Sequence, residues 1–274
     1  IHALDTTPNL PYKRPGALEA ALGASKAADD GGLAIGTKVN MHGSLLGPGR
    51  GELKAGPVRE SLKASTSRLK IRRARWLIAQ RPDIEACWGE LTGGFQGLVA
   101  EGLCDMWGVR EFNTRCMRDL LRTCERWRYQ KPRIFQGEYN LLCRRNEARM
   151  ALLRAHGMTF HAYDPLAQGV LSGQISSNAQ AENGERPASS GWKGPYDNPE
   201  VGEAVKKISS MAMQDGTTPQ IQSIALRWLA YHSKLGEKDC IILSASTFED
   251  LEEKVASIAK GPLSEEVLSV LDQV

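Results

Sequence analysis

Apolar residues fall into short continuous runs, separated by longer stretches in which they recur every three or four positions. Leu33-Ala34-Ile35-Gly36-Thr37, Arg133-Ile134-Phe135-Gln136, Met158 to Tyr163 and Cys240-Ile241-Ile242-Leu243 are the runs. Strands buried on both faces have this appearance, so the runs predict a parallel sheet. The punctuation agrees. The turn Asp29-Asp30-Gly31-Gly32 precedes the first run and Pro132 the second. The helix-stop pair His156-Gly157 precedes the third, and the turn Leu235 to Asp239 the fourth.

The stretches between them are amphipathic. Pro57 to Leu69 aligns Val58, Leu62 and Leu69 on one stripe, and Asn113 to Trp127 aligns Met117, Leu120, Leu121 and Cys124. Asn113 or Thr114 is the N-cap of that second helix. Glu147 to Leu153, Ile221 to Tyr231 and Phe248 to Ile258 repeat the pattern. Strand–helix alternation along the whole chain predicts an α/β fold, either a (β/α)8 barrel or a doubly wound sheet. No Gly-x-Gly-x-x-Gly follows a strand, which counts against the doubly wound dinucleotide fold. Gly173 to Pro199 has no period and is rich in Ser, Asn, Gly and Pro. So long a loop in a compact domain is usually functional or mobile, and in a barrel it overhangs the C-terminal ends of the strands.

Composition narrows the classes. The 274 residues are 41% hydrophobic and 24% charged, which excludes a disordered chain and suits one barrel domain over residues 1–274. No apolar run approaches the roughly 18 residues of a membrane span. The opening Ile1-His2-Ala3-Leu4-Asp5 lacks the pattern of a signal peptide, so the expected compartment is the cytoplasm. A net charge of +3, from 35 basic and 32 acidic residues, is too balanced to argue for nucleic acid or an anionic membrane. Arg68, Lys70, Arg72, Arg73 and Arg75 form a local excess that reads as a solvated helix end. The six cysteines form no Cys-x-x-Cys pair and read as free thiols, and the five histidines form no ligand cluster, so no metal is expected. A homo-oligomer is compatible with the sequence.

Several segments resemble the aldo-keto reductases, in the aflatoxin-aldehyde-reductase-like branch. They are Leu4-Asp5-Thr6, Gly36-Thr37-Lys38, Phe135-Gln136-Gly137-Glu138-Tyr139-Asn140, His161 to Gly173, Ile224 to Leu229 and Ile242 to Thr247. The resemblance covers nearly the whole chain and is most specific in the second half. It implies a (β/α)8 TIM-type barrel that uses NADPH to reduce an aldehyde or ketone in a small organic molecule. A Tyr of that family gives its proton to the carbonyl oxygen, a Lys and an Asp tune the Tyr, and a His orients the carbonyl. Asp5 and Lys38 match the Asp and the Lys. The Tyr position holds Leu10, and Tyr12 is the nearby candidate. The His position holds Gln80, before Arg81-Pro82-Asp83.

The cofactor side of the resemblance implies contacts from Arg110, Gln136, Tyr163, Pro165, Leu166, Gln168 and Gly169. Ser244, Ser246, Thr247 and Lys254 would form a phosphate turn at a helix N-terminus. Arg110 and Glu111 stand where the family has two small polar residues, and Lys254 stands where it has an Asn. Gln136 also reads as a core amide, Tyr139 as a nicotinamide platform or a core aromatic, and Thr247 as a plain N-cap. The departures at Leu10, Gln80, Arg110 and Glu111 leave a second expectation open. It is a redox-inactive barrel that binds NADPH, a ligand or a partner, or runs a non-redox biosynthetic step. The resemblance also makes Ile1 to Asp5 the barrel's second strand, so one βα unit of about 30 residues is expected to be absent. A first strand paired on both sides would refute that. Met41 to Gly56 and Gly173 to Pro199 are the expected selectivity loops.

Overall fold

The computed structural model describes residues 1–26, 33–41, 48–173, 195–212 and 221–272. The turn at 29–32, part of the first expected selectivity loop, at 42–47, and most of the second, at 174–194, lie outside the described residues. Among the described residues seven strands follow in sequence order: β1 (Ala3–Asp5), β2 (Ala34–Lys38), β3 (Ala74–Ala79), β4 (Cys104–Arg110), β5 (Ile134–Glu138), β6 (Thr159–Tyr163) and β7 (Cys240–Ile241). The registered pairs are parallel, and β1, at the end of the order, pairs with β2. The helices are α1 (Ala17–Ala24), α2 (Ala55–Leu69), α3 (Trp88–Ala100), α4 (Thr114–Trp127), α5 (Glu147–Ala155), α6 (Pro199–Ala212), α7 (Ile221–Arg227), α8 (Phe248–Ala259) and α9 (Glu265–Leu271). The α/β alternation with a parallel sheet is therefore as the apolar pattern predicts.

Local chemistry sets the boundaries. Asn113 caps α4, its Oδ1 accepting from Cys116 N at 2.8 Å, and Lys70 and Arg128 end α2 and α4 in left-handed conformations. Two features depart from the pattern. α6 begins inside the stretch read as structureless, capped by Asn198, whose Oδ1 accepts from Val201 N at 2.9 Å. The helix predicted over Ile221 to Tyr231 stops as an α-helix at Arg227 and continues as a π turn over Trp228–His232.

The chain divides into two compact units. The first holds Ile1–Gln136 and Ala151–Phe160. Trp76, Ile78 and Ile134 pack there against Ala3, Ala34 and Met106. Trp76 needs a glycine opposite it, because a Cβ on Gly36 would come within 1.9 Å of the indole. The basic cluster is mostly tied into ion pairs. Arg68 reaches the buried carboxylate of Glu19 at 2.7 Å, and Arg73 and Arg75 share Asp105 at 2.8 Å each. The second unit holds Gly137–Met150 and His161–Val274. Its core includes the almost wholly buried α7, and Tyr139 set edge-on to Trp228 with ring centroids 5.9 Å apart.

Candidate active site

Strand ends of the first unit assemble a buried charge pair. Asp5 closes β1 and Lys38 closes β2, and the strand register sets Asp5 beside Gly36. Side chains on alternate residues of a strand share a face, so Lys38, two residues beyond Gly36, projects on the same side as Gly36. The Lys38 ammonium donates to Asp5 Oδ2 and, at 3.1 Å, to the Thr6 carbonyl oxygen. The two side chains are 10% and 12% exposed, so the pair is largely out of water. Asp5 Oδ1 accepts two further bonds, from Trp76 Nε1 at 3.2 Å and Gln136 Nε2 at 3.0 Å. The carboxylate is thus held by donors from β2, β3 and β5. Lys38 keeps one N–H with no partner among the described residues.

The other two expected catalytic side chains do not meet this pair. Tyr12 is 64% exposed and makes no hydrogen bond to a described residue. The Gln80 amide is turned onto the β1–α1 loop. Its Nε2 donates to Asn9 Oδ1 at 2.6 Å and to the Val39 carbonyl at 2.9 Å. Asn9 in turn donates to Asn40 Oδ1 at 3.0 Å and to the Met41 carbonyl at 2.8 Å. Gln80 therefore pins the loop three residues before Tyr12. Sequence reasoning gave no role in the site to Asn9 or Trp76. An Asn in a Pro-flanked turn and a Trp on a strand are common structural choices, so neither carries a signal of its own.

Gln136 is 1% exposed and holds Asp5, so the core-amide reading describes its contacts. Arg110 ends β4 beside Gln136 in register, and Glu111 follows with a positive φ of 54°, its N–H bonded to the Gln136 carbonyl at 3.0 Å. Among the described residues no group of three His, Cys, Asp or Glu could hold a metal.

In the second unit the run after β6 makes a left-handed turn. Ala167, Gln168 and Gly169 have φ of 51°, 53° and 87°, a conformation that costs non-glycine residues energy. Asp164 Oδ1 holds it by accepting from Gln168 N at 2.6 Å. Pro165 and Leu166 are buried in this turn, Gln168 is exposed, and Tyr163 is half-buried before it. Tyr139 is fully buried, donating to Glu147 Oε1 at 2.7 Å and accepting from Lys234 N at 3.0 Å, as a core aromatic does.

The turn before α8 presents Ser244, Ser246 and Thr247 at the surface. Thr247 Oγ1 caps α8 through Asp250 N at 3.2 Å, so the plain N-cap reading of Thr247 describes the geometry. Lys254 Nζ donates to the Ser244 carbonyl at 2.9 Å and to Asp250 Oδ2 at 2.8 Å, and that same Oδ2 accepts from Ser246 N at 3.0 Å. Burial alone would raise the Asp250 carboxyl, but the Lys254 and Ser246 donors outweigh it and hold the group below the ordinary carboxylate range. The left-handed turn and the surface hydroxyls suit the body of a dinucleotide. Two donors at the α8 turn, Ser246 N and Lys254 Nζ, are already engaged by Asp250.

The whole chain, residues 1–274, matches the model of the Aldo/keto reductase family. It is 30% identical over 267 residues to aflatoxin B1 aldehyde reductase member 2 of Mus musculus, covering 92% of this chain and 70% of that protein. Solved structures that are similar over the full length of the chain include the following two. The glycerol dehydrogenase of Gluconobacter oxydans has a TM-score of 0.77 at 19% identity, with 80% of that chain covered. An aldo/keto reductase of Klebsiella pneumoniae, in complex with NADP and acetate, has a TM-score of 0.70 at 21% identity, again with 80% covered.

Proposed function

This chain belongs to the aldo/keto reductase family, and on that premise we propose that it reduces an aldehyde or ketone of a small organic molecule with a reduced nicotinamide dinucleotide, NADPH in the first instance. The observation that carries the reading is Lys38. Its ammonium is buried, directs two N–H groups at Asp5 and Thr6, and has a third without a partner among the described residues. When bound, the dinucleotide supplies hydride to the carbonyl carbon. Lys38 then answers the negative charge that develops on the carbonyl oxygen, in a setting where water screens it little. Asp5 keeps the ammonium in place, and Trp76 and Gln136 keep Asp5 in place. Tyr12 is the nearest phenol in the sequence and the proposed proton source. Its hydroxyl is exposed and makes no hydrogen bond to the Asp5–Lys38 pair. Gln80, anchored to Asn9 and Val39, orients a carbonyl only by giving up one of those bonds. Both features point to slow turnover, and loss of one preorganised donor commonly lowers a rate by about 10²–10³.

The test is dinucleotide oxidation, followed by absorbance, with a broad aldehyde and ketone panel. We expect slow turnover that Lys38→Met abolishes and Tyr12→Phe lowers. No oxidation above background, or full activity in Lys38→Met, would sink the proposal. The exposed Tyr12 and the committed Gln80 favour one other reading, a barrel that binds the dinucleotide without turning it over. Saturable quenching of tryptophan fluorescence by NADPH, with no oxidation of any panel member, would establish it instead.

A further inference from the structure

The turn before α8 carries a second message about the cofactor. It rests on the proposed dinucleotide reading, because it concerns which dinucleotide that turn accepts. If a 2′-phosphate were to bind at the α8 N-terminus, its donors would include the Ser246 amide and the Lys254 ammonium. Each already serves a carboxylate of the chain. Ser246 N and Lys254 Nζ donate to Asp250, at 3.0 Å and 2.8 Å. Lys254 is 10% exposed on its side chain, and its remaining bond goes to the Ser244 carbonyl, so the cation is turned inward and already neutralised.

The charge count agrees. Glu249, Asp250, Glu252 and Glu253 stand against the single Lys254, so residues 249–254 carry a net charge of −3. A helix N-terminus ordinarily attracts an anion. Here that attraction is met by acidic residues of the helix's own first turn, and a phosphate dianion would have to displace them against like-charge repulsion.

We propose that Asp250 stands in for the cofactor's 2′-phosphate, so that the α8 turn gives NADPH no advantage over NADH. Asp250 is the residue that sets this selectivity, and Lys254 is the cation it withholds from the ligand. A dinucleotide with a free 2′-hydroxyl leaves the Asp250–Lys254 pair in place. One with a 2′-phosphate must first open the Asp250–Lys254 pair.

The experiment compares ADP-ribose with 2′-phospho-ADP-ribose by titration calorimetry on the full chain, since the two differ only in the phosphate at issue. We expect the wild-type protein to bind the phosphorylated ligand no more tightly than the plain one. In Asp250→Asn and Asp250→Ser, the affinity ratio should move toward the phosphorylated ligand by about tenfold, a change of about 1.4 kcal/mol. Serine at this position can still receive the first-turn hydrogen bonds, so at least one of the two variants should fold, which circular dichroism checks. Lys254→Met in the Asp250→Ser background should cancel the gain. Tighter wild-type binding of the phosphorylated ligand, or an unmoved ratio in both folded variants, would overturn this inference and leave the reductase reading standing. Binding of neither ligand, nor of NADH or NADPH, would overturn both.

Discussion

Replacing Lys38 by Met tests the structural half of the site without reference to any substrate. The substitution keeps a chain of similar length and removes the ammonium that neutralises Asp5. Asp5 is then a carboxylate 12% exposed, with two neutral donors left, Trp76 Nε1 at 3.2 Å and Gln136 Nε2 at 3.0 Å. Removing one partner of a buried ion pair typically costs about 3–5 kcal/mol, because the other charge is stranded. The two neutral donors that remain keep Asp5 partly satisfied, which puts the expected loss at the lower end of that range, about 3 kcal/mol. For a chain of this length, that corresponds to a fall in Tm of roughly 6–12 °C. The double variant Asp5→Asn/Lys38→Met removes both charges and should recover most of the loss, since a buried pair is worth little against well-packed neutral groups. Thermal melts followed by circular dichroism decide the matter. A Lys38→Met melt within about 2 °C of wild type, about 1 kcal/mol or less, would show that the pair is not the anchor described. A double variant as destabilised as the two single losses added together would refute the reasoning in the other direction.

Three further outcomes follow from the geometry. Burial pushes the Tyr139 hydroxyl up to about 12 and raises Tyr196 further; unfolding therefore releases protons that the folded chain holds, and the stabilisation, full below pH of about 10, should fall by about 1.4 kcal/mol per pH unit per tyrosine above it. Melts from neutral pH to pH 11 should show this slope, and Tyr139→Phe/Tyr196→Phe should flatten it. Gly36→Ala drives a methyl to within 1.9 Å of the Trp76 indole and should cost about 3 kcal/mol or more; Trp76→Leu in the same chain should restore most of the melting temperature. Gln80→Ala should free the β1–α1 loop, raising amide exchange at residues 9–13 by about tenfold for the loss of roughly 1.4 kcal/mol of hydrogen bonding, while unchanged exchange would mean that Asn9 is held without it.

The fold was legible because continuous apolar runs and threefold-to-fourfold periodicity leave few alternatives. β3 and β4 were the hardest strands to read. Arg75 is exposed on β3, and Asp105 and Met106 are only half-buried on β4, so polar residues interrupt both apolar runs. Their opposite charges meet as the Arg75–Asp105 pair, at 2.8 Å, a cross-strand reason that one strand read alone does not show. α6 was missed because its first turn, Pro199-Glu200-Val201-Gly202, reads as an extension of the preceding loop. The site was legible where strand ends dictate it. Asp5 and Lys38 meet as the motifs around them imply. It was illegible where a side chain chooses between partners. Nothing in Gln80 or Gln136 says whether an amide faces a ligand or a neighbour, and here both have taken neighbours.

That choice separates the two halves of the proposed chemistry. The Asp5–Lys38 pair hangs on backbone ladders: β1 and β2 register it, and β3 and β5 supply Trp76 and Gln136. Its geometry does not require residues 8–16, and substitutions there leave the charge where it is. The loop has its own support. Gly16 N and Arg14 N donate to the Pro8 and Pro11 carbonyls at 2.7 Å and 2.8 Å, and Gln80 and Asn40 fix Asn9. A residue that orients a carbonyl must keep its donor available. In Gln80 that donor now anchors the loop, and the loop in turn keeps Tyr12 at the surface. Gln80 thus touches both departures, through its own amide and through Asn9, which makes it the first position to vary. A Gln80 variant that loosens the loop without changing turnover would mean that Tyr12 never enters the reaction. One that loosens the loop and speeds turnover would mean that the tyrosine was waiting on it.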